Sequence, residues 1–146
     1  AAIIANRGYY YVPHILKYRD GKADIPDRFK EPVQTPFNPE HFDVVIEGMR
    51  RVVNEPRGTG SRAKVPGVIV SGKTGTVQNS HGEDHSGFFA FAPMENPKIA
   101  IAVYVENSGA GGIFAATITS LIIEKYLNGV VTQVDKENMV LNYTQF

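Results

Sequence analysis

Apolar residues between Asn38 and Val53 recur at the spacing of one helical face. The Asn38 side chain can cap such a helix, and Pro39 suits the first turn because the N–H that proline lacks has no partner there. The apolar positions of this face are Phe42, Val45, Ile46, Met49, Val52 and Val53. The pattern predicts a helix that Pro56 and Gly58 bring to an end.

Four segments, one before this helix and three after it, carry the β-branched and aromatic residues that are typical of strands. These predicted strands are His14 to Tyr18, Val68 to Thr76, Ser86 to Phe91 and Ile99 to Glu106. Residues 92–97 form a short connection between the last two, which favours an antiparallel pair.

Helical patterns stand at both ends of the chain. Ala1 to Arg7 is predicted to be the last turns of a helix that Gly8 ends in a left-handed conformation, and Tyr9 to Val12 then favours a strand. Ile113 to Leu127 predicts a largely buried helix, with apolar residues at 113, 114, 116, 118, 121, 122 and 126. Residues 130–146 are weakly patterned and are expected to form a loose tail.

Length and composition restrict the classes of protein that fit. The 146 residues are 42% hydrophobic, enough for the core of one domain. Fifteen basic and fifteen acidic side chains cancel, so a nucleic-acid partner is disfavoured. Cysteine is absent, which removes disulfides and thiolate metal sites. The longest apolar run, Ile99 to Val105, is far shorter than the roughly 20 residues of a membrane helix.

The stretch P-G-V-I-V-S-G-K-T-G-T, residues 66–76, fits two incompatible motifs. From Gly67 it matches a phosphate-binding loop, which needs an irregular loop before Lys73 and a helix opening at Lys73 and Thr74. Here a strand pattern precedes Lys73, and the residues after Thr74 have no helical periodicity. Nucleotide binding is therefore disfavoured.

From Lys73 the same stretch gives K-T-G, a motif of serine β-lactamases and penicillin-binding proteins. On a strand beside a cleft, Lys73 supplies a positive charge, Thr74 a hydroxyl for a carboxylate, and Gly75 a bare backbone over which a peptide can lie. Three common residues also occur together by chance, so the surrounding segments must support the motif.

Four potential metal ligands lie close together at His81, Glu83, Asp84 and His85. Ligands this close in a Gly-containing loop seldom converge on a metal without partners from elsewhere. We therefore expect a polar loop between strands, and no metal.

Five segments in order along the chain extend the K-T-G match. They are A-A-I-I-A-N-R-G-Y-Y-Y-V-P-H from residue 1, V-I-E-G-M-R-R-V-V-N and R-G-T-G within residues 42–60, S-G-K-T-G-T-V-Q from 71, D-H-S-G-F-F-A-F-A-P from 84, and N-P-K-I-A-I-A-V-Y-V-E-N-S-G-A-G-G from 96. Together they resemble the C-terminal part of the transpeptidase domain of class B penicillin-binding proteins. The last segment most resembles the penicillin-binding protein 2 branch, which serves cell elongation.

The resemblance implies an α+β fold, an antiparallel sheet flanked by helices. Residues 1–128 would be the C-terminal portion of the transpeptidase domain and 129–146 a tail. It also implies a peptidoglycan D,D-transpeptidase of the bacterial cell wall. In that reaction a serine attacks the D-Ala-D-Ala carbonyl, D-alanine leaves, an amine of a neighbouring stem peptide resolves the acyl-enzyme, and β-lactam antibiotics bind as substrate mimics.

The same resemblance assigns roles to the K-T-G strand and implies no cofactor. Lys73 would stabilise charge and help proton transfer, and the Thr76 amide would donate to the oxyanion, which makes these two the catalytic candidates. The Thr74 hydroxyl would bind the substrate carboxylate, and Gly75 would keep the floor of the site open.

Two departures from the family pattern affect the expected activity. Gly87 stands where the family usually has tryptophan after D-H-x. No S-x-x-K or S-x-N triplet of the family is present, because Ser61 to Lys64 spells S-x-x-K but follows a Gly-rich break. The nucleophilic serine is thus expected before Ala1, in a longer parent protein, and this chain alone is expected to be inactive.

The resemblance further implies the periplasmic face of the bacterial inner membrane and a role in cell shape. The expected partners are the rest of the parent domain and membrane proteins of the elongation machinery. A β-lactamase or β-lactam sensor of the same fold would carry the same K-T-G, and a non-catalytic binding module remains open because the nucleophile is missing.

Overall fold

The computed structural model describes residues 1–15, 25–110 and 112–143. Its helices are α1 (Ala2–Ala5), α2 (Glu40–Asn54), α3 (Phe114–Asn128) and α4 (Val134–Leu141). Its strands are β1 (Tyr9–Tyr10), β2 (Val33–Gln34), β3 (Ser71–Val77), β4 (His85–Ala92) and β5 (Ile99–Val105). Short 3-10 turns cover Asp27–Phe29 and Ser61–Ala63.

The main sheet has the order β3-β4-β5, and both of its pairs are antiparallel. Strand β3 has a partner on one side only among the described residues, which makes it an edge strand of this sheet. Strands β1 and β2 form a separate antiparallel pair. Helices packed on an antiparallel sheet confirm the predicted α+β class.

Two buried clusters hold the helices to the sheet. Helix α3 covers one face, where Ala115 and Ile123 pack with Phe88 and Ala90 of β4. Helix α2 places Phe42 and three other apolar side chains inward, and Phe42, Ile46 and Met49 pack with Ala5 and Phe91. The Asn38 side chain accepts a hydrogen bond from the Glu40 amide, as expected of a capping residue. Val45 was predicted on the buried face but is 46% exposed.

The strand predictions before β4 need correction. Strand β3 begins at Ser71 rather than Val68, because Gly67 has a φ of +72° and residues 65–68 form a tight turn closed by a Val65–Val68 bridge. His14 is in no strand, and its ring stacks on Phe29 with centroids 4.5 Å apart. The rest of that prediction, residues 16–18, lies outside the described residues.

The end of α1 and the strand after it also differ from the prediction. Arg7 takes the left-handed conformation, with a φ of +53°, and Gly8 follows with a φ of +119°. The following strand covers Tyr9–Tyr10 and does not extend to Val12.

Helix α3 is largely buried, as predicted, but of the predicted apolar positions only Phe114 and Ala116 are among its buried residues. Its other buried residues are mainly small or polar: Ala115, Thr117, Thr119, Ser120, Ile123 and Glu124. Ile122 and Tyr126, which were expected inside, are 42% and 62% exposed. Helix α4 lies in the segment for which the sequence predicted only a loose tail. None of the helices in the described part of the chain is long and apolar enough to cross a membrane.

Candidate active site

The K-T-G residues lie on the edge strand β3. Side chains alternate along a strand, so Lys73 and Gly75 share one face while Thr74 and Thr76 share the other. The exposed Lys73 ammonium donates a hydrogen bond of 2.9 Å to the Thr74 carbonyl oxygen. All four residues that the sequence singled out therefore lie on β3, in two pairs on opposite faces.

This strand geometry contradicts the phosphate-loop motif. Lys73, Thr74 and the two residues after them continue β3, paired in register with β4 from Gly72–Ala90 to Val77–His85. A phosphate loop requires a helix that begins at this lysine and threonine. The nucleotide-binding alternative therefore has no structural basis here.

Thr74 contacts the loop between α2 and β3. Its hydroxyl lies 3.2 Å from the Thr59 hydroxyl, and either oxygen can be the donor. A Cβ placed on Gly112 would lie 2.3 Å from the Thr59 carbonyl oxygen and 3.4 Å from the Thr74 methyl carbon. Three separate segments therefore meet beside Thr74, and only glycine fits at position 112.

An open cavity of about 450 Å³ lies at this junction. Its lining residues are Thr59, Ser61, Arg62, Thr74, Thr76, Ala110, Gly112 and Ile113. Sequence reasoning did not assign Thr59 or Gly112 to the site, although the R-G-T-G and A-G-G stretches were noted as family-like. A larger cavity of about 710 Å³ lies elsewhere, between His81–Glu83, Val105–Asn107 and Tyr143, and none of the K-T-G residues lines it.

The S-x-x-K match at Ser61 lies beside this cavity in an unsuitable conformation. Ser61 begins a three-residue 3-10 turn, and Lys64 follows it with extended dihedrals of −60° and 136°. A continuous helix holds side chains three residues apart as neighbours, but this turn ends at Ala63, one residue before Lys64. The turn therefore agrees with the prediction that Ser61 is a loop serine.

Two of the four possible metal ligands hold the β3–β4 loop in place. An Asp84 carboxylate oxygen accepts a hydrogen bond of 3.1 Å from the Asn79 amide. The Nδ1 atom of His85 accepts one of 2.9 Å from the Asn107 amide. Within residues 1–15, 25–110 and 112–143, no three His, Asp or Glu side chains are arranged to hold a metal ion.

Comparison with known proteins identifies the family. The model of the penicillin binding protein transpeptidase domain matches residues 1–124. The chain belongs to this family. Helix α4 lies after the last matched residue.

The chain is similar to transpeptidases of the penicillin-binding protein 2 type. It is 32% identical over 157 residues to the peptidoglycan D,D-transpeptidase MrdA of Haemophilus influenzae, covering 94% of this chain and 24% of the relative. It is 31% identical over 155 residues to MrdA of Escherichia coli, covering 93% and 24%. The chain thus spans about a quarter of the length of these curated relatives.

Solved structures agree with this assignment. The structure of Pseudomonas aeruginosa PBP2 in complex with WCK 5153 aligns with a TM-score of 0.71 and 32% identity, over 90% of this chain and 29% of that one. The ceftriaxone acyl-enzyme of penicillin-binding protein A from Mycobacterium tuberculosis aligns with a TM-score of 0.68 and 31% identity, over 86% and 30%. Both matches support the predicted fold.

Proposed function

We propose that this chain is part of a peptidoglycan D,D-transpeptidase and supplies one wall of its active site. The observation that carries the proposal is the K-T-G sequence on an open strand edge, with an exposed lysine and with Thr74 and Thr76 lining one cavity. Membership of the transpeptidase family supports the same activity. The catalytic serine belongs to a part of the protein outside this chain.

In the proposed reaction, the serine oxygen forms a bond to the D-Ala-D-Ala carbonyl carbon and its proton passes to a base. The C–N bond then breaks, and the leaving D-alanine takes up a proton. The amine of a second stem peptide attacks the ester, which releases the serine and completes the cross-link. With a β-lactam in place of the substrate, the reaction stops at the acyl-enzyme.

Lys73, Gly75 and Thr76 of β3 each have a role in this reaction. The Lys73 ammonium stabilises negative charge and assists proton transfer beside the serine. The Thr76 amide donates to the developing oxyanion, since a preorganised donor stabilises charge at low reorganisation cost. Gly75 leaves the backbone bare where the peptide lies.

The Thr74 hydroxyl binds the carboxylate of the substrate, and Thr59 determines whether its proton is available. When the Thr59 hydroxyl donates to Thr74 Oγ1, the proton of Thr74 remains free for the carboxylate. The reverse orientation would consume that proton. A charge-assisted hydrogen bond to the substrate favours the first arrangement.

The surroundings of the parent protein are also part of the proposal. Cross-linking of peptidoglycan takes place outside the cytoplasm, so the domain acts on the periplasmic face of the inner membrane. The proposed partners are the rest of the parent domain and membrane proteins of the elongation machinery, with a role in cell shape.

The test is the second-order rate of acylation by a β-lactam, measured on the full-length parent and its Thr74→Val variant. Valine keeps the branched shape and removes the hydroxyl, so acylation should slow by about 10- to 1000-fold, or about 1.4 to 4 kcal/mol. Thr35→Val is the matched control, because the Thr35 hydroxyl donates to the Gly8 carbonyl next to the small β1–β2 sheet, and Thr35 does not line the cavity beside Thr74. An unchanged rate in Thr74→Val would remove this residue from the site.

Release of the label separates the transpeptidase from its alternatives. A slowly released fluorescent penicillin indicates a penicillin-binding protein, and a rapidly released one indicates a β-lactamase. The absence of labelling indicates a non-catalytic module. Mass spectrometry of the 146-residue chain should show no penicilloyl adduct, and an adduct on Ser61 would show that the nucleophile has been misplaced.

A further inference from the structure

The C-terminal helix α4 is fastened to the turn beside the candidate site through Lys136. Its ammonium donates to the carbonyl oxygens of Arg62 and Lys64, at 2.6 and 3.0 Å, and to the Ser120 hydroxyl at 3.2 Å. An ammonium has three protons, so these three acceptors use its full donor capacity. Lys136 therefore connects α4, α3 and the Ser61–Ala63 turn at one point.

Further contacts keep this connection in place. The Arg62 guanidinium donates to the Met139 sulfur at 3.4 Å. The Glu124 carboxylate, on the buried side of α3, accepts hydrogen bonds from Thr132 and, at 3.2 Å, from Gln133. The segment that leads into α4 is thus held to α3 before Lys136 reaches the turn.

The Ser61–Ala63 turn, which Lys136 contacts, begins two residues after Thr59 in the sequence. The Ala63 amide donates to the Gly60 carbonyl and the Lys64 amide to the Ser61 carbonyl, so residues 60–64 form one hydrogen-bonded turn next to Thr59. The Gly60 amide donates to the Val52 carbonyl, which anchors the start of this turn to α2. Thr59 in turn contacts the Thr74 hydroxyl. The Gly112 backbone lies close to the Thr59 carbonyl, so Thr59 has little space on the side that faces Gly112.

We propose that residues 129–143 position the part of β3 that carries the K-T-G residues. Within this segment Lys136 is a positioning residue, which acts through the turn at residues 60–64 on Thr59 and Thr74. This proposal rests on the proposed function of the K-T-G strand. The match to the family model ends at residue 124, before this segment, whereas the alignment to MrdA of Haemophilus influenzae covers 94% of the chain and extends into it. Loss of the three hydrogen bonds would let Thr59 move away from Thr74 and misdirect the Thr74 proton.

The test compares Lys136→Met with Lys125→Met in the full-length parent. Both substitutions remove one ammonium and keep a long apolar side chain, but Lys125 is exposed on α3, whereas Lys136 fastens the turn. Two quantities are measured: deuterium exchange of residues 59–64 by mass spectrometry, and the second-order rate of acylation by a β-lactam. Thermal melting confirms that each variant is folded.

We expect Lys136→Met to raise exchange in residues 59–64 and to slow acylation by about three- to tenfold, since small displacements in a preorganised site reduce rates strongly. Lys125→Met should change neither. Addition of Thr59→Val to Lys136→Met should slow acylation by less than the product of the two single effects, because both act through one contact.

The two measurements distinguish failure of the Lys136 contact from failure of the proposed function. If deuterium exchange of residues 59–64 is unchanged in Lys136→Met, Lys136 does not hold the turn in place, whatever the acylation rate. Raised exchange with an unchanged acylation rate, or independent effects of Lys136→Met and Thr59→Val, overturns the positioning role. If the wild-type parent is not acylated at all, the proposed function fails, and the positioning role fails with it even where exchange rises.

Discussion

Gly75 of β3 lies directly opposite Gly87 of β4, and Gly87 lies opposite Tyr104 of β5. A Cβ on Gly75 would have only the Gly87 carbonyl oxygen within 4 Å, at 3.8 Å. The face of the sheet that carries Lys73 is therefore bare backbone at Gly75 and Gly87, and Tyr104 provides the only side chain among these three paired residues. Gly87 stands where the resemblance predicts a tryptophan, and its lack of a side chain enlarges that bare surface.

Gly72 and Gly75 should respond in opposite ways to alanine. A Cβ on Gly72 would lie 2.6 and 2.7 Å from two ring carbons of the buried Phe88, so Gly72→Ala should destabilise the fold by about 1 to 3 kcal/mol. The Cβ of Gly75→Ala would make one ordinary contact, with the Gly87 carbonyl oxygen at 3.8 Å, so this change should leave stability unchanged or raise it by about 0.4 to 1 kcal/mol. Denaturant unfolding of both variants measures this difference.

The acylation rate provides the second half of this comparison. A methyl group at position 75 projects where the peptide is proposed to lie, so Gly75→Ala should slow acylation of the parent by about tenfold or more. If Gly75→Ala is acylated at the wild-type rate, the substrate does not pass over Gly75.

Ser71 and Ser86 are both fully buried, but they differ in their hydrogen bonds. The Ser86 hydroxyl donates to the Ala110 carbonyl and accepts from the Ala115 amide, whereas Ser71 Oγ has no partner within the described part of the chain. Ser71→Ala should therefore be neutral or stabilising by up to about 1 kcal/mol, and Ser86→Ala should cost about 1 to 3 kcal/mol. Equal losses in denaturant unfolding would show that Ser71 has a partner after all.

Glu47 on α2 should make stability depend on pH in the acidic range. Hydrogen bonds from Arg50 and then Arg51 lower the pKa of its carboxyl from 4.5 to about 2. Because the folded-state pKa is the lower one, the stabilisation is complete above pH 4.5 and is lost as the pH falls through about 2.

The measurement is the difference in melting temperature between wild type and Glu47→Gln across this pH range. The difference should shrink as the pH falls, and high salt should also reduce it because the groups are close to solvent. Glu137→Gln, which removes an exposed carboxylate on α4, is the control. A difference that stays constant down to pH 2 would contradict the assigned pKa.

Zinc should not raise the melting temperature of the protein. The Asp84 carboxylate and His85 Nδ1 already accept backbone hydrogen bonds, so binding a metal there would cost these contacts. Thermal melting with and without zinc is the measurement. A saturable rise that disappears in the His81→Ala, His85→Ala double variant would establish a metal site.

Local periodicity was sufficient to predict α2, β4 and β5, and to place Lys73 on a strand. Helix α2 has apolar residues along one face, and β4 and β5 contain runs of aromatic, β-branched and other apolar residues of strand length, so these elements can be predicted from local sequence. The ordered family segments then indicated the α+β class and the motif. The roles of Lys73, Thr74, Gly75 and Thr76 stay predictions until the acylation rates are measured.

Tertiary structure decided the features that depend on partners distant in sequence. The buried side of α3 carries Glu124 and Ser120 because Thr132, Gln133 and Lys136 supply hydrogen bonds from the following segment. Helix α4 is fixed by these polar contacts rather than by an apolar face, so its weak periodicity gave no signal.

The contact between Thr59 and Thr74 likewise joins residues 15 apart. Its geometry depends on how closely Gly112 approaches from a third segment. Sequence spacing specifies which faces are apolar, but a contact between separate segments is determined only when the whole core has packed.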